Sequence, residues 1–150
     1  MRVALGSDHA GWPLRERLIE ELARGGYVLV PCGPIALTPG DDYPDVAAAV
    51  ARAVANGEAD RGVVVCGSGV GASVAASKLR GIRCALCHDV FSARQGVEDD
   101  DMNVIALGAR VIGSELAAEV LRAFLGASFS GLERHRRRVA KVALLESSSS

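Results

Sequence analysis

Aromatic residues are scarce in this chain, at 4% of its 150 positions, with a single tryptophan. Packing therefore falls to the abundant Ala, Val and Leu, which suits an α/β core better than an all-β sandwich. Net charge is nearly absent as well, the formal value being −1. No global field draws such a chain to nucleic acid or to an anionic membrane, and neither is expected as a partner. Any attraction for anions must come from a local cluster. No apolar run approaches the ~20 residues of a membrane span. The opening residues, Met1 to Asp8, enter a strand-like pattern directly, without the apolar stretch and cleavage site of a secretory signal. Cys32, Cys66, Cys84 and Cys87 are accordingly expected to be reduced thiols in a cytoplasmic protein. A chain of this length is one ordinary domain and buries roughly two-thirds of its unfolded surface, so no disulfide or metal is needed to hold it.

What is present has a rhythm. Short apolar runs, Val3–Leu5, Tyr27–Val30, Gly62–Cys66, Arg83–Leu86 and Val104–Leu107, alternate with helical patterns. The runs are continuous rather than alternating, as in strands buried on both faces of a parallel sheet. In the first helical stretch Leu14, Leu18 and Leu22 fall at i, i+4 and i+8, and Gly25-Gly26 ends it. Further helices are predicted over about Pro44–Ala55, Ala72–Leu79, Val90–Val97 and Ser114–Leu125. The expectation is a three-layer α/β/α, Rossmann-like domain with a five-stranded parallel sheet and a C-terminal helix. Pro31 to Pro44 holds four of the five prolines and reads as a loop. Leu132 to Leu145 is basic with scattered apolar residues, and reads as a last helix docking outside the core. The domain is expected to span residues 1–146, with 147–150 a disordered polar tail.

Ligands of open α/β sheets bind at the carboxyl ends of the strands. After the first strand come Asp8 and His9, a carboxylate beside a titratable imidazole. An N-capping Asp with an incidental surface His would look the same. After the third strand comes Cys66-Gly67-Ser68-Gly69-Val70-Gly71. Alternate glycines let backbone approach a ligand, and the following helix adds free N–H groups suited to a phosphate or an oxyanion. The pattern is neither a dinucleotide fingerprint nor a P-loop. Cysteines beside helix N-termini serve as bases or nucleophiles, though Cys66 also fits as a small buried hydrophobe. Cys84 and Cys87 form a C-x-x-C, but no second pair completes a zinc site and no metal is expected. Arg134 and Arg138 lie at i, i+4 on one helix face, where two guanidinium groups can clamp a phosphate. Arg110, after the fifth strand, adds a third charge. A solvated basic face is the plainer alternative.

In this order the motifs resemble those of the ribose-5-phosphate isomerase B / galactose-6-phosphate isomerase family. The resemblance rests on Gly6-Ser7-Asp8-His9-Ala10-Gly11, Asp42-Tyr43-Pro44, Cys66 to Gly71, Asn103-Val104-Ile105, Gly108-Ala109-Arg110, and Arg134-His135 with Arg138. It covers about residues 2 to 142. It implies an aldose–ketose isomerase of a sugar phosphate, working through a cis-enediolate without metal or organic cofactor. Cys66 would carry the proton between C2 and C1. Ser68 and the N–H groups of Gly67, Gly69 and Gly71 would stabilise the enediolate, and Asp8 would handle hydroxyl protons. His9, Arg110, Arg134 and Arg138 would hold the phosphate, with Tyr43 and Asn103 also at the substrate. The resemblance implies a homodimer or homotetramer with sites shared between subunits.

One position departs from the family pattern. Where the family shows His-Asn-x-x-Asn-Val before the fifth strand, this chain has Asp99-Asp100-Asp101-Met102-Asn103-Val104. The family's His opens the cyclic sugar, and Asp99 takes its place here. Ribose 5-phosphate is the leading substrate. A tetrose 4-phosphate or hexose 6-phosphate is the alternative, and a non-catalytic phosphate-binding module is the reading from another class.

Overall fold

The computed structural model describes residues 1–147. Eleven elements follow one another: β1 (Arg2–Ser7), α1 (Trp12–Arg24), β2 (Val28–Cys32), α2 (Tyr43–Ala55), β3 (Arg61–Cys66), α3 (Val70–Ala76), β4 (Cys84–Leu86), α4 (Val90–Asp100), β5 (Val104–Gly108), α5 (Ser114–Gly126) and α6 (Glu133–Ser147). The five strands form one sheet in the order β2-β1-β3-β5-β4, and every pairing is parallel. This is the expected three-layer α/β/α arrangement with a C-terminal helix.

Side-chain alternation divides the core. Val3, Leu5, Val63, Val65, Ile105 and Leu107 face α1, α4 and α5, in a cluster closed by Leu18, Leu22 and Phe124. Ala4, Val64, Cys66, Val104 and Ala106 face α2 and α3, whose contributions are Val and Ala. The second face is tight: a Cβ on Gly62 would come within 2.7 Å of Val50. That close approach answers the shortage of aromatics, because small residues fill the layer only if helix and sheet lie near each other. Burying each Val or Leu in these clusters contributes about 1.5–3 kcal/mol.

The structure corrects several expectations. Burial on both faces holds for β1, β3 and β5 but not for the edge strands β2 and β4, which remain partly exposed. Pro31 belongs to β2, paired beside Leu5, because an edge strand tolerates a missing N–H. The third helix starts earlier, at Val70 rather than Ala72, and ends at Ala76. The fourth helix runs on past Val97 to Asp100. Its end is fixed by Asp101, whose φ of 51° is the only positive value at a non-glycine residue among those described. Arg83 secures that turn, donating from Nε to the Asp101 carbonyl at 2.6 Å and from Nη2 to its carboxylate at 2.8 Å. Arg61 does the same for α5, donating to the carbonyls of Phe124 and Ala127. The last helix includes Ser147, so that residue is not part of a tail, and the rest of the expected tail lies outside the described residues.

Candidate active site

In the sheet, β1 is followed by β2 on one side, and the chain then crosses to β3 on the other. The loops leaving β1 and β3 diverge there and leave a crevice, the usual ligand position in such sheets. A cavity of about 340 Å³ occupies it, lined by Asp8, His9, Ala10, Tyr43, Cys66, Gly67, Ser68, Gly71, Arg110 and Val111. Residues from β1, β3, β5 and the start of α2 thus converge, although up to a hundred positions separate them in sequence.

Asp8 is buried and its Oδ1 accepts the Gly11 amide at 2.8 Å, closing the turn after β1. Cys66 is also buried, at the last position of β3, and its Sγ accepts the Gly69 amide at 3.1 Å. That donor is aimed at the atom where negative charge would sit on a thiolate. Gly69 has φ 79°, a left-handed conformation that a residue with a Cβ resists. Ser68 is exposed, and its Oγ accepts the Val70 amide at 3.2 Å. Two amides of the glycine loop are therefore already bound within the loop. The ring of Tyr43 lies over Gly71, 2.6 Å from where a Cβ would be. The Arg110 guanidinium reaches back to the loop, with Nη1 3.4 Å from the corresponding point on Gly67.

A partner the sequence reading missed is Asp41. Its Oδ1 accepts both the amide of His9, at 2.9 Å, and the ring Nδ1, at 2.7 Å. This turns Nε2 of His9 away from Asp41 and leaves it available to a ligand. The motif pointed instead to Asp42, which is exposed at the start of α2. Asp8, His9 and Asp41 each place one ligand-type atom within 4.8 Å of the others, and among the described residues they are the one cluster that could hold a cation. Two of its three members are already bonded to each other, through His9 Nδ1 and Asp41 Oδ1.

The remaining predicted site residues do not line this cavity. Asp99 is half-buried, with Oδ2 accepting Gln95 Nε2 at 2.8 Å and Oδ1 lying 3.5 Å from His135 Nδ1. Asn103 sits at the amino end of β5, where Oδ1 accepts the Arg83 amide at 2.8 Å and Nδ2 donates to the Gly81 carbonyl at 2.9 Å. It therefore acts as a clasp within the protomer, at the end of β5 away from this cavity. Arg134 and Arg138 are exposed on α6. Arg134 donates from Nε to His135 Nε2 at 3.2 Å. Arg138 borders a second cavity, about 710 Å³, between α6 and the segment from α3 to β4. Cys84 and Cys87 are buried or half-buried thiols, with burial pushing Cys84 up to about 12 and Cys87 up to about 11.

The family described as Ribose/Galactose Isomerase matches this chain over residues 3–142. Ribose-5-phosphate isomerase B of Escherichia coli K12 is 40% identical over 145 residues, covering 97% of this chain and 96% of that protein. D-erythrulose-4-phosphate isomerase of Pectobacterium atrosepticum is 39% identical over 131 residues, covering 87% and 86%. The structure of ribose-5-phosphate isomerase B from Clostridium thermocellum superposes with a TM-score of 0.96 at 41% identity, covering both chains fully.

Proposed function

The chain belongs to the ribose/galactose isomerase family, and on that premise we propose that it interconverts ribose 5-phosphate and ribulose 5-phosphate through a cis-enediolate. The observation that carries this is the convergence of Asp8, His9, Cys66, Ser68 and Arg110 on one crevice. The Cys66 thiolate removes the proton from C2 of the open aldose, the C1 carbonyl oxygen gains negative charge, and the enediolate is then reprotonated at C1. Ser68 and the glycine loop stabilise the oxygens, while Asp8 moves a proton between the two hydroxyl positions. His9 and Arg110 bind the phosphate. The proton that Cys66 takes from C2 exchanges with solvent on the thiol in competition with its return to C1. Incubation in D2O should therefore place deuterium at C1 of the ketose. Failure to form any ketose from a panel of phosphorylated aldoses would refute the reading.

Arg134 and Arg138 enter as residues of a neighbouring subunit in a homodimer or homotetramer. Supporting this, both stand apart from their own crevice on a helix that also exposes Val142, Leu144 and Leu145. Mixing Cys66→Ala and Arg138→Ala subunits should regain activity that neither has alone. The four free thiols suit the reducing cytoplasm.

A second reading is favoured by Asp99. A pentose 5-phosphate closes into a furanose through its free 4-hydroxyl, so its isomerase gains from a ring-opening group. A tetrose 4-phosphate has that oxygen blocked and stays open. With the Asp99 carboxylate engaged by Gln95 and His135, an acyclic four-carbon substrate loses nothing. The test compares kcat/KM for ribose 5-phosphate and erythrose 4-phosphate in the native enzyme and in Asp99→His. A native preference for the pentose that histidine does not increase would dismiss this second reading.

A further inference from the structure

The amide of Gly108 donates to Nε2 of His88 at 2.9 Å. His88 lies two residues past the end of β4, and Gly108 is the last residue of β5. To accept that bond, Nε2 must present its lone pair, so the ring is neutral with its proton on Nδ1.

What Gly108 holds makes this contact more than a strand-end detail. Beyond it, the Ala109 amide donates to the Cys66 carbonyl and the Arg110 amide to the Gly67 carbonyl, each at 2.9 Å. Gly108 itself presses on Ser68, whose carbonyl oxygen is 2.5 Å from where a Cβ would stand. His88 thus anchors one end of a belt that runs from β4 through β5 to the glycine loop after β3. The far edge of the belt is the crevice.

We propose that His88 is a positioning residue for the site: its neutral ring anchors the Gly108 amide and so fixes Arg110 and the glycine loop where an anionic substrate group meets them. The inference rests on the isomerase reading only for the identity of that anion. Protonation turns Nε2 into a donor facing a donor, and the belt loses its anchor. Burial disfavours the charged ring, opposed by the neighbouring carboxylate of Asp89. Asp89 is itself occupied in capping α4 through the Ser92 amide at 2.7 Å. On β5 the facing group is the uncharged amide of Gly108. The anchor is therefore intact at neutral pH and fails only below the ordinary imidazole range.

The test compares the native protein with His88→Gln, whose Oε1 can accept without titrating, and His88→Leu, which cannot accept at any pH. Three quantities are read from about pH 8 to pH 5: the Gly108 amide resonance, the affinity for inorganic phosphate, and kcat/KM. The native Gly108 resonance should move as pH falls, and the glutamine variant's should not. The difference in phosphate affinity between these two isolates His88 from every other pH-dependent change, that of phosphate itself included. The leucine variant should bind phosphate about tenfold more weakly than the native protein at neutral pH, and the two should converge as pH falls. A glutamine variant with the native pH course in both Gly108 resonance and phosphate affinity would overturn the proposal, as would a folded leucine variant with native affinity at neutral pH. The first two readouts need no turnover. Absence of isomerase activity on every sugar phosphate would therefore count against the function and leave this inference standing.

Discussion

One carboxylate oxygen of Asp41 holds His9 by two of its N–H groups, backbone and ring together. Backbone placement and ring orientation of His9 therefore depend on the same side chain, 32 residues away. Replacing Asp41 by Ala should free the ring to rotate and raise KM for the sugar phosphate about tenfold, a loss in the range of one charged hydrogen bond. Asp41→Asn keeps an acceptor and should lose less. Steady-state kinetics of both variants, with kcat near native, is the check.

Cys66→Ala should reduce kcat by about 100-fold to 10,000-fold, the usual cost of removing a positioned base, with phosphate affinity retained. Its sulfur borders the crevice, whereas burial pushes the Cys84 and Cys87 thiols up to about 12 and about 11. Iodoacetamide near neutral pH should consequently label Cys66 before either of them, and substrate should protect it. Mass spectrometry of the labelled peptides reads the order directly.

Two glycines of the site should respond differently to a methyl group. Gly71→Ala meets the outer atoms of the Tyr43 ring, on a half-exposed side chain that can swing away. It should alter KM and leave the melting temperature nearly unchanged. Gly108→Ala meets the backbone of Ser68, which cannot yield without moving the loop. That variant should lose both stability and turnover. Thermal melts alongside kinetics separate the two cases.

Glu21 is buried between Arg122 and Arg17, with Oε1 accepting from Arg122 at 2.6 Å and Oε2 from Arg17 at 2.8 Å. The Arg122 and Arg17 guanidinium groups hold its carboxyl below the ordinary glutamate range. A carboxylate depressed in the folded state binds protons more weakly there than in the unfolded chain. Its stabilisation is therefore complete above the ordinary glutamate value of about 4.3 and is lost as pH falls through the lower folded value. Glu21→Gln should lower the melting temperature by a few degrees at neutral pH. It should also make the acid limb of a melting-temperature profile shallower.

The fold was legible because β1, β3 and β5 are buried on both sides and carry unbroken apolar runs. The glycine loop was legible because three alternate glycines after such a run have few other uses. Asp41 was hidden by its setting, a proline-rich segment whose residues give no periodic signal and whose path back to His9 is a tertiary fact. His88 was hidden for a similar reason: it belongs to no motif, and its partner is a backbone amide that any residue would supply. Asp99 to Asp101 look in sequence like one acidic patch. In the structure they part company, Asp99 toward Gln95 and His135, Asp100 to the second cavity, and Asp101 to Arg83 at the helix end.

Arg61, Arg83 and Asn103 fasten helix ends and turns at the amino rim of the sheet, while the crevice opens at the carboxyl rim. A strand length of core separates the two sets. Random mutagenesis should therefore yield two populations that barely overlap, one failing to accumulate in cells and the other accumulating normally but catalytically silent. Selection for a new sugar can then work on the loops after β1 and β3 and the turn after β5 as on an interchangeable tool head, with the handle left as it is.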